Sequence, residues 1–220
     1  MRALREQVQG VDVVPTVLEA AGLPQFEGSN AWVLGAETVR RIPALYTAYG
    51  PPGFVEALPT SDPVRRQNPH MHLFECMLAL WRVTGDARYR ARADELFGLF
   101  RDHWFQPGPG VLAEYFDRNL VLAPGETGQI VEPGHHSEWI WLLREYESAT
   151  GVNVSPYVDA LYSHVERYGY SANGILFDEV LTDGRPKLRT HRTWPATEAI
   201  KSNVVEAARG RPGADERVAA

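Results

Sequence analysis

The chain has 220 residues, of which 44% are hydrophobic and 23% charged, and its formal net charge is -6. This composition is that of a globular protein with one sizeable core or two small domains, and the acidic charge argues against a nucleic-acid-binding protein. The apolar runs are too short to predict a membrane span or a signal peptide, and the single cysteine, Cys76, excludes an internal disulfide and favours a reducing, cytoplasmic location.

Residues 1–52 differ in pattern from the rest of the chain. A short helix is predicted within residues 11–24, closed by Gly22 and Pro24. Beyond it, glycine and proline are frequent, and only a weak helix near 36–48 is expected. We therefore predict an atypical, loop-rich N-terminal segment with a short helix over residues 1–52.

From Asn68 onwards the helical signals are clear. Asn68 is a good N-cap residue, and Pro69 suits the first helical position. An apolar stripe then predicts a helix to about residue 83; its members are Met71, Phe74, Met77, Leu78 and Trp81. After a turn at 84–86, a second helix is predicted over 87–103, followed by a short extended piece at 111–116.

The next section repeats this plan. A helix is predicted from His135 to about Ser148, a partner helix over 155–168, and an extended piece at 173–178. The turn glycines Gly85 and Gly151 are 66 residues apart (151 minus 85), which indicates an internal repeat of helical hairpins. A third unit begins at Thr193. The fold class predicted for residues 53–208 is therefore all-α, with repeated hairpins that bury their apolar faces on one another, and residues 209–220 are predicted to be a disordered tail.

Each repeat places a histidine and a glutamate three residues apart at the start of its first helix. The pairs are His72 with Glu75 and His135 with Glu138, and residues at i and i+3 share one helical face. If the hairpins close into a ring, the two pairs converge on one pocket, which is typical of a binding or catalytic site.

Three segments of the chain resemble the N-acylglucosamine 2-epimerase superfamily, in its branch of mannose isomerases and mannose-6-phosphate-isomerase-like proteins. They are residues 66–75, 132–139 and 192–201, in the family's order, and the resemblance covers roughly residues 53–208. It implies an (α/α)6 barrel, here incomplete, and an enzyme that interconverts sugars at C1 and C2 through an enediol intermediate. The reaction it implies here is a mannose–fructose type of aldose–ketose isomerisation.

The resemblance also implies roles for individual residues. His135 is the acid/base histidine, Glu138 its carboxylate neighbour, and His72 the pocket histidine of the first segment. The family has a further histidine near its last motif, and His191 is the nearest candidate here. The residues predicted to bind substrate are Arg66, Asn68, His70, Glu75, Glu114, Trp139, Arg192, Trp194 and Glu198.

The residue types suit this chemistry. A base that moves a proton next to a carbonyl works best with a pKa near neutrality, which favours histidine. His72 or Arg192 could steady the developing oxyanion, and Trp139 and Trp194 could form an aromatic floor for the sugar. A divalent ion held by the histidines and glutamates was considered, but no compact metal-binding spacing is present, so we predict no metal and no cofactor. The expected partners are a monosaccharide substrate and a second copy of the chain in a homodimer, with neither nucleic acid nor membrane.

Two other hypotheses remain open at this stage. The chain could be a catalytically inactive helical repeat that binds sugars or partner proteins. It could also be an (α/α)-barrel glycosidase, a class that needs two carboxylates at a set separation. Glu114 and Asp178, at matching places in the two repeats, are the candidate pair.

Overall fold

The computed structural model of the chain describes Gly53 and residues 64–219. The chain divides into two units, and Pro69–Phe97 lies in the first while Gly98–Ala220 and the residues just before Pro69 lie in the second. The helices predicted within residues 1–52, and the boundary predicted there, lie outside the described residues. Among the described residues, no helix is both long enough and apolar enough to cross a membrane.

The first unit contains most of one helical hairpin. Helix α1 (Asn68–Thr84) begins at the predicted N-cap, and helix α2 (Ala87–Leu99) follows a turn in which Gly85 has a φ of +69°. The guanidinium of Arg90 lies 5.2 Å from the ring centre of Trp81, which joins the two helices of the hairpin. Cys76 is buried, and burial raises the pKa of its thiol to about 12, so this cysteine stays protonated and unreactive.

The second unit is built around helix α3 (Pro133–Thr150). Helix α4 (Ser155–His164) follows through Gly151, whose left-handed backbone closes α3 with an N–H bond to the carbonyl of Glu147. Helix α5 (Thr193–Ala207) packs along α3. A hydrogen bond of 2.7 Å from the Tyr162 hydroxyl to Asn203 joins α4 to α5 in the core. Helices thus begin close to the positions that the sequence predicts.

Both predicted partner helices end earlier than expected as α-helices. Each continues into one π-helical turn, Phe100–Trp104 after α2 and Val165–Gly169 after α4. These turns start 65 residues apart (165 minus 100), close to the spacing of the turn glycines, so they belong to the repeat. The predicted helix ends at 103 and 168 lie within these π turns, so the helical backbone extends to within one residue of each predicted end, and only its change from α to π geometry was not predicted.

Short strands lie in the loops between helices. They are β1 (Arg65–Arg66), β2 (Phe105–Gln106), β3 (Val111–Leu112), β4 (Tyr115–Phe116), β5 (Ile130–Val131), β6 (Glu179–Leu181) and β7 (Pro186–Leu188). All pairings are antiparallel: β1 with β4, β2 with β3, and β6 between β5 and β7. The β1–β4 pair places Gln67 beside Glu114, with a backbone hydrogen bond of 3.3 Å between them, and this contact positions the site described below.

The tail predicted to be disordered contains a helix instead. Helix α6 (Ala214–Ala219) begins at the buried Ala214. Arg217 bonds to Glu166 at 2.8 Å and lies 4.0 Å from the ring centre of Tyr170. The glycine, proline and charge in this segment suggested disorder, but its arginines find carboxylates on earlier helices, which orders the chain from residue 209 to Ala219.

Candidate functional site

A buried histidine and a buried glutamate form the centre of the site. His135 lies in the first turn of α3 and is 4% exposed, and Glu114, between β3 and β4, is 3% exposed. The Nδ1 atom of His135 is 3.0 Å from Oε2 of Glu114, and its Nε2 atom is 3.2 Å from the side-chain nitrogen of Asn68. Because a carboxylate only accepts hydrogen bonds, Nδ1 carries a proton, and Nε2 is the nitrogen left for proton transfer.

The carboxylate beside His135 is not the one that the sequence indicated. Glu138, predicted as its neighbour, is buried three residues further along α3, and its charge helps to raise the pKa of His135. Glu114, predicted to bind sugar hydroxyls, instead bonds to the imidazole. The correction has a simple cause: Glu114 is 21 residues from His135 in sequence, and no helical periodicity could bring them together.

The charges around His135 favour its protonated form. Burial by itself would lower its pKa, but the charge and hydrogen bond of Glu114, together with Glu132 and Glu138, raise the pKa of His135 to about 9. At neutral pH the side chain is therefore an imidazolium. The protonated ring of His135 can therefore serve as a proton donor.

Arg192 supplies the second positive charge of the cluster. Its guanidinium bonds to Glu132 at 2.7 Å and lies 3.1 Å from Asp178, and its backbone N–H also bonds to Asp178 at 2.8 Å. Burial raises the pKa of Glu132, against the effect of His135 and Arg192. The pKa of Asp178 is lowered: burial would raise it, but hydrogen bonds from Thr190 and Arg192 outweigh that effect.

Glu114, Glu132 and His135 are also close enough to hold a cation, since their ligand atoms lie within 4.8 Å of one another. The arrangement already pairs each carboxylate with a positive group, Glu114 with the imidazolium and Glu132 with Arg192. A divalent ion would have to displace both partners and deprotonate His135. The donor set therefore fits a hydrogen-bonded acid better than a metal site.

Trp194, predicted to bind substrate, lies over His135. The two ring centres are 5.1 Å apart, and the guanidinium of Arg192 lies 5.2 Å from the Trp194 ring. This approach depends on Gly134, because a Cβ atom there would be 2.8 Å from the Trp194 ring and 2.9 Å from Pro195. The starts of α3 and α5 thus meet at a glycine.

Replacing Gly134 by alanine should destabilise the second unit by about 1–3 kcal/mol, because neither the indole nor the proline ring can yield without shifting α5. Urea denaturation measures this change. Gly98→Ala in α2 is the matched control, since a Cβ atom there meets nothing within 4 Å and alanine favours the helix. Equal midpoints for the two variants would contradict the close approach of Trp194.

Trp139 does not form the predicted aromatic floor. It is completely buried, stacks on Phe100 with ring centres 4.5 Å apart, and donates its indole N–H to Oε1 of Gln67 at 2.8 Å. Helical spacing indicated that it shares a face with His135, but it could not show that the ring turns into the core. Trp139 is a core residue whose indole N–H bonds to Gln67.

Two further histidines lie buried behind the site. His136 and His164 have ring centres 5.1 Å apart, and Nε2 of His136 accepts the backbone N–H of Leu112 at 3.0 Å. Burial lowers the pKa of His136 far below its ordinary value and that of His164 to about 4. Both are therefore neutral, and His136 ties α3 to β3, two residues before Glu114.

This pair predicts a loss of stability in acid. The unfolded chain takes up protons on these histidines near pH 6.5, whereas in the folded protein the pKa of His164 is about 4 and that of His136 lies far below its ordinary value. Their contribution to stability is thus present above pH 6.5 and is lost as the pH falls toward 4. Urea midpoints from pH 7 to 4.5 should fall less steeply for His164→Phe than for the unmodified protein, and parallel curves would contradict this. His103→Phe, on the π turn, is the control, and a change in slope as large as that of His164→Phe would contradict the role of the buried pair.

Several predicted residues are engaged elsewhere in the second unit. The Nδ1 atom of the exposed His191 is 2.7 Å from the carbonyl oxygen of Leu176, and its ring stacks on Phe177. Glu198 accepts the indole N–H of Trp141 at 2.8 Å and pairs with Lys201 at 2.9 Å. The guanidinium of Arg66 lies 5.6 Å from the ring centre of Tyr115. None of these contacts involves His135.

The remaining predicted residues belong to α1, in the first unit. His70 is buried there, whereas His72 and Glu75 are half-buried. Their roles stay predictions.

Two residues of the site were missed by sequence reasoning. Glu132 directly precedes α3 and binds Arg192, and Gln67 directly precedes α1 and binds both Trp139 and Glu114. A polar residue just before a helix with proline at its first or second position was the available signal in both cases. An uncharged amide such as Gln67 can be recognised as a site residue only when its burial is known.

Comparison with known proteins places this geometry in context. A sequence model of the family described as N-acylglucosamine 2-epimerase (GlcNAc 2-epimerase) matches residues 29–219. The chain is 37% identical over 157 residues to a mannose-6-phosphate isomerase of Rhizobium meliloti (strain 1021), covering 69% of this chain and 40% of the relative. It is 29% identical over 170 residues to a D-mannose isomerase of Thermobifida fusca, covering 71% and 41%. The chain thus spans less than half the length of these relatives.

Solved structures share the fold. A crystal structure of D-mannose isomerase superposes with a TM-score of 0.75 at 18% identity, covering 94% of this chain and 56% of that one. A cellobiose 2-epimerase from Bacillus thermoamylovorans B4167 gives 0.68 at 18% identity, covering 94% and 57%. Likeness at this identity concerns the fold alone, and it confirms the predicted fold class, helical hairpins of the (α/α)6-barrel type.

Proposed function

The chain belongs to the N-acylglucosamine 2-epimerase family, and on that premise we propose that it serves an aldose–ketose isomerisation of the mannose–fructose type, with His135 as the proton-transferring residue. One observation carries the proposal: Glu114 holds Nδ1 of His135 at 3.0 Å, which leaves Nε2 as the reactive atom beside Asn68. The substrate is a monosaccharide. A homodimer and a cytoplasmic location stay predictions.

The raised pKa of His135 favours a particular role for it. As the imidazolium, it donates the Nε2 proton to the carbonyl oxygen of the open-chain aldose while a base removes the proton from C2. The enediol then takes a proton at C1, and His135 recovers its own proton as the carbonyl forms at C2. One carbon–hydrogen bond breaks at C2 and one forms at C1, so the oxidation of C2 is balanced by the reduction of C1. Glu138, which the family resemblance places beside His135, is the candidate for the base, and the role of His72 stays a prediction.

Asn68 suits both protonation states of His135. Its amide presents the N–H₂ group to the neutral imidazole, and a half-turn of the amide presents the C=O group to the imidazolium. Trp194 over the ring adds a face that attracts a cation. Apart from the half-turn of the Asn68 amide, these contacts let His135 gain and lose its proton in place.

The test is proton exchange in deuterated water. The purified chain is incubated with mannose, fructose or glucose, and NMR follows deuterium at C1 and C2 together with the appearance of a second sugar. Deuterium incorporation with a new sugar supports isomerisation. A folded protein that gives neither contradicts the proposal.

A second candidate is sugar binding without turnover. It is favoured by the coverage of the relatives, since the aligned stretch is 40% and 41% of their lengths. Saturable shifts of protein resonances with mannose, without exchange at carbon, would identify it. Glycoside hydrolysis by Glu114 and Asp178 has less support, because both carboxylates are paired with positive groups and the lowered pKa of Asp178 does not suit a proton donor.

A further inference from the structure

Gln67 lies between the core indole of Trp139 and the carboxylate that holds His135. Its Oε1 atom accepts the indole N–H at 2.8 Å, and its Nε2 atom donates to Oε2 of Glu114 at 2.9 Å. We propose that Gln67 is a positioning residue for the proton transfer assigned above to His135, and that Trp139 sets the direction of its amide. This inference rests on the proposed function for its catalytic consequence, but its geometry stands separately.

The orientation of the amide follows from what each partner can do. An indole nitrogen only donates a hydrogen bond, and a carboxylate only accepts one. Gln67 must therefore turn its oxygen to Trp139 and its nitrogen to Glu114. The reversed amide would place two donors together and two acceptors together inside the core, where unmet polar groups cost about 1–3 kcal/mol each. The buried Gln67 side chain is thus locked in one direction.

The fixed orientation of the Gln67 amide also fixes the side chain of Glu114. Its Oε2 atom accepts from Gln67 and from His135, at 2.9 Å and 3.0 Å, while its Oε1 atom has no hydrogen-bond partner among the described residues. Both hydrogen bonds are accepted by the same oxygen, so without the Gln67 donor only His135 would hold the Glu114 carboxylate in place. The carboxylate could then rotate, and Nδ1 of His135 would lose its fixed acceptor.

The consecutive residues Gln67 and Asn68 therefore act on the two ring nitrogens of His135. Gln67 acts on Nδ1 through Glu114, and Asn68 contacts Nε2 directly. The backbone N–H of Gln67 also bonds to the carbonyl of Glu114 at 3.3 Å, which fixes the two segments relative to each other. The two residues just before Pro69 thus together position the imidazole of His135.

The test is Gln67→Met in the full chain, which keeps the length of the side chain and removes both hydrogen bonds. The readout is the Nδ1 proton of His135, observed by NMR in protein labelled at histidine with ¹⁵N. In the unmodified protein this proton should be protected from exchange with water, and in the variant its exchange should speed up at least about tenfold, the lower end of what loss of a supporting contact costs. Catalytic turnover should fall about 10- to 100-fold with little change in KM.

Gln106→Met is the matched control. Gln106 is half-buried in the same unit and donates only to backbone carbonyls of His103 and Trp104. Its variant should leave the Nδ1 proton and turnover unchanged even if stability falls. An unchanged Nδ1 proton in Gln67→Met overturns the proposal, as does an equal change in the control.

A second variant and the unmodified protein cover the case in which Gln67→Met does not fold. Trp139→Phe removes the indole donor and should speed exchange at Nδ1 of His135 by releasing the Gln67 amide; an unchanged rate overturns the proposal. In the unmodified protein the indole proton of Trp139 should exchange far more slowly than that of an exposed tryptophan, and fast exchange also overturns it. If no sugar turns over but the Nδ1 proton depends on Gln67, the proposed function fails and the positioning role stands.

Discussion

Replacing His135 by glutamine should reduce aldose–ketose exchange by about 100- to 10,000-fold, the range contributed by a general acid or base. Glutamine can still donate a hydrogen bond to Glu114, so the buried carboxylate keeps a partner and the fold should survive. The reactive nitrogen, however, is lost. Deuterium incorporation at C2 of mannose, followed by NMR, measures the change.

The pH dependence separates the two possible roles of His135. If its imidazolium is the acid, turnover falls as the pH rises through about 9, because the proton to be donated is lost. If the neutral imidazole were the base, turnover would rise toward pH 9. His103→Gln, on the π turn after α2, serves as the control histidine and should keep both the rate and the profile. A His135→Gln variant that exchanges as fast as this control would remove His135 from the mechanism.

Replacing Glu206 by glutamine should lower the stability of the second unit by about 3 kcal/mol, because it leaves a buried guanidinium short of its countercharge. Glu206 is 1% exposed and accepts hydrogen bonds from Arg144 at 2.7 Å and from Arg211. Burial would raise the pKa of Glu206, but the two arginines outweigh that and lower it, so the carboxylate is ionised at neutral pH. Urea denaturation at pH 7 gives the difference.

The matched control is Asp183→Asn, which removes an equivalent charge from an exposed pair with Arg185. An exposed pair contributes little because water screens it, so the control should have the midpoint of the unmodified protein. If Glu206→Gln behaves in the same way, the Arg144–Glu206 contact does not join α3 to α5. A fall in both variants would point to a general effect of charge.

The start of each helix could be predicted because its signal is local. Asn68 with Pro69 marks the beginning of α1, and Pro133 with Gly134 marks that of α3. The hairpin repeat could also be predicted, since its turn glycines recur at a fixed spacing. Such features depend on residues within a few positions of one another, which is the range that sequence patterns record.

The partners within the site could not be predicted in the same way. Glu114 directly precedes β4, which pairs with β1, and the Leu112–His136 hydrogen bond joins β3 to α3, so contacts between distant segments bring Glu114 to His135. A two-residue strand leaves almost no sequence pattern. Trp139 was predicted to line the sugar pocket but lies in the core, because helical periodicity shows which face a residue occupies and not how deeply its side chain is buried. The tail was misjudged since its composition, read alone, hides the carboxylates that its arginines bind.

The contact between Gly134 and Trp194 has an evolutionary consequence. The two residues are 60 positions apart (194 minus 134), and the Trp194 ring occupies the space where a side chain at position 134 would lie. A larger residue at position 134 is therefore compatible only with a smaller one at position 194. Among relatives, substitutions at these positions should therefore be correlated, and homologues that have lost the tryptophan should be the ones that tolerate a side chain in place of the glycine.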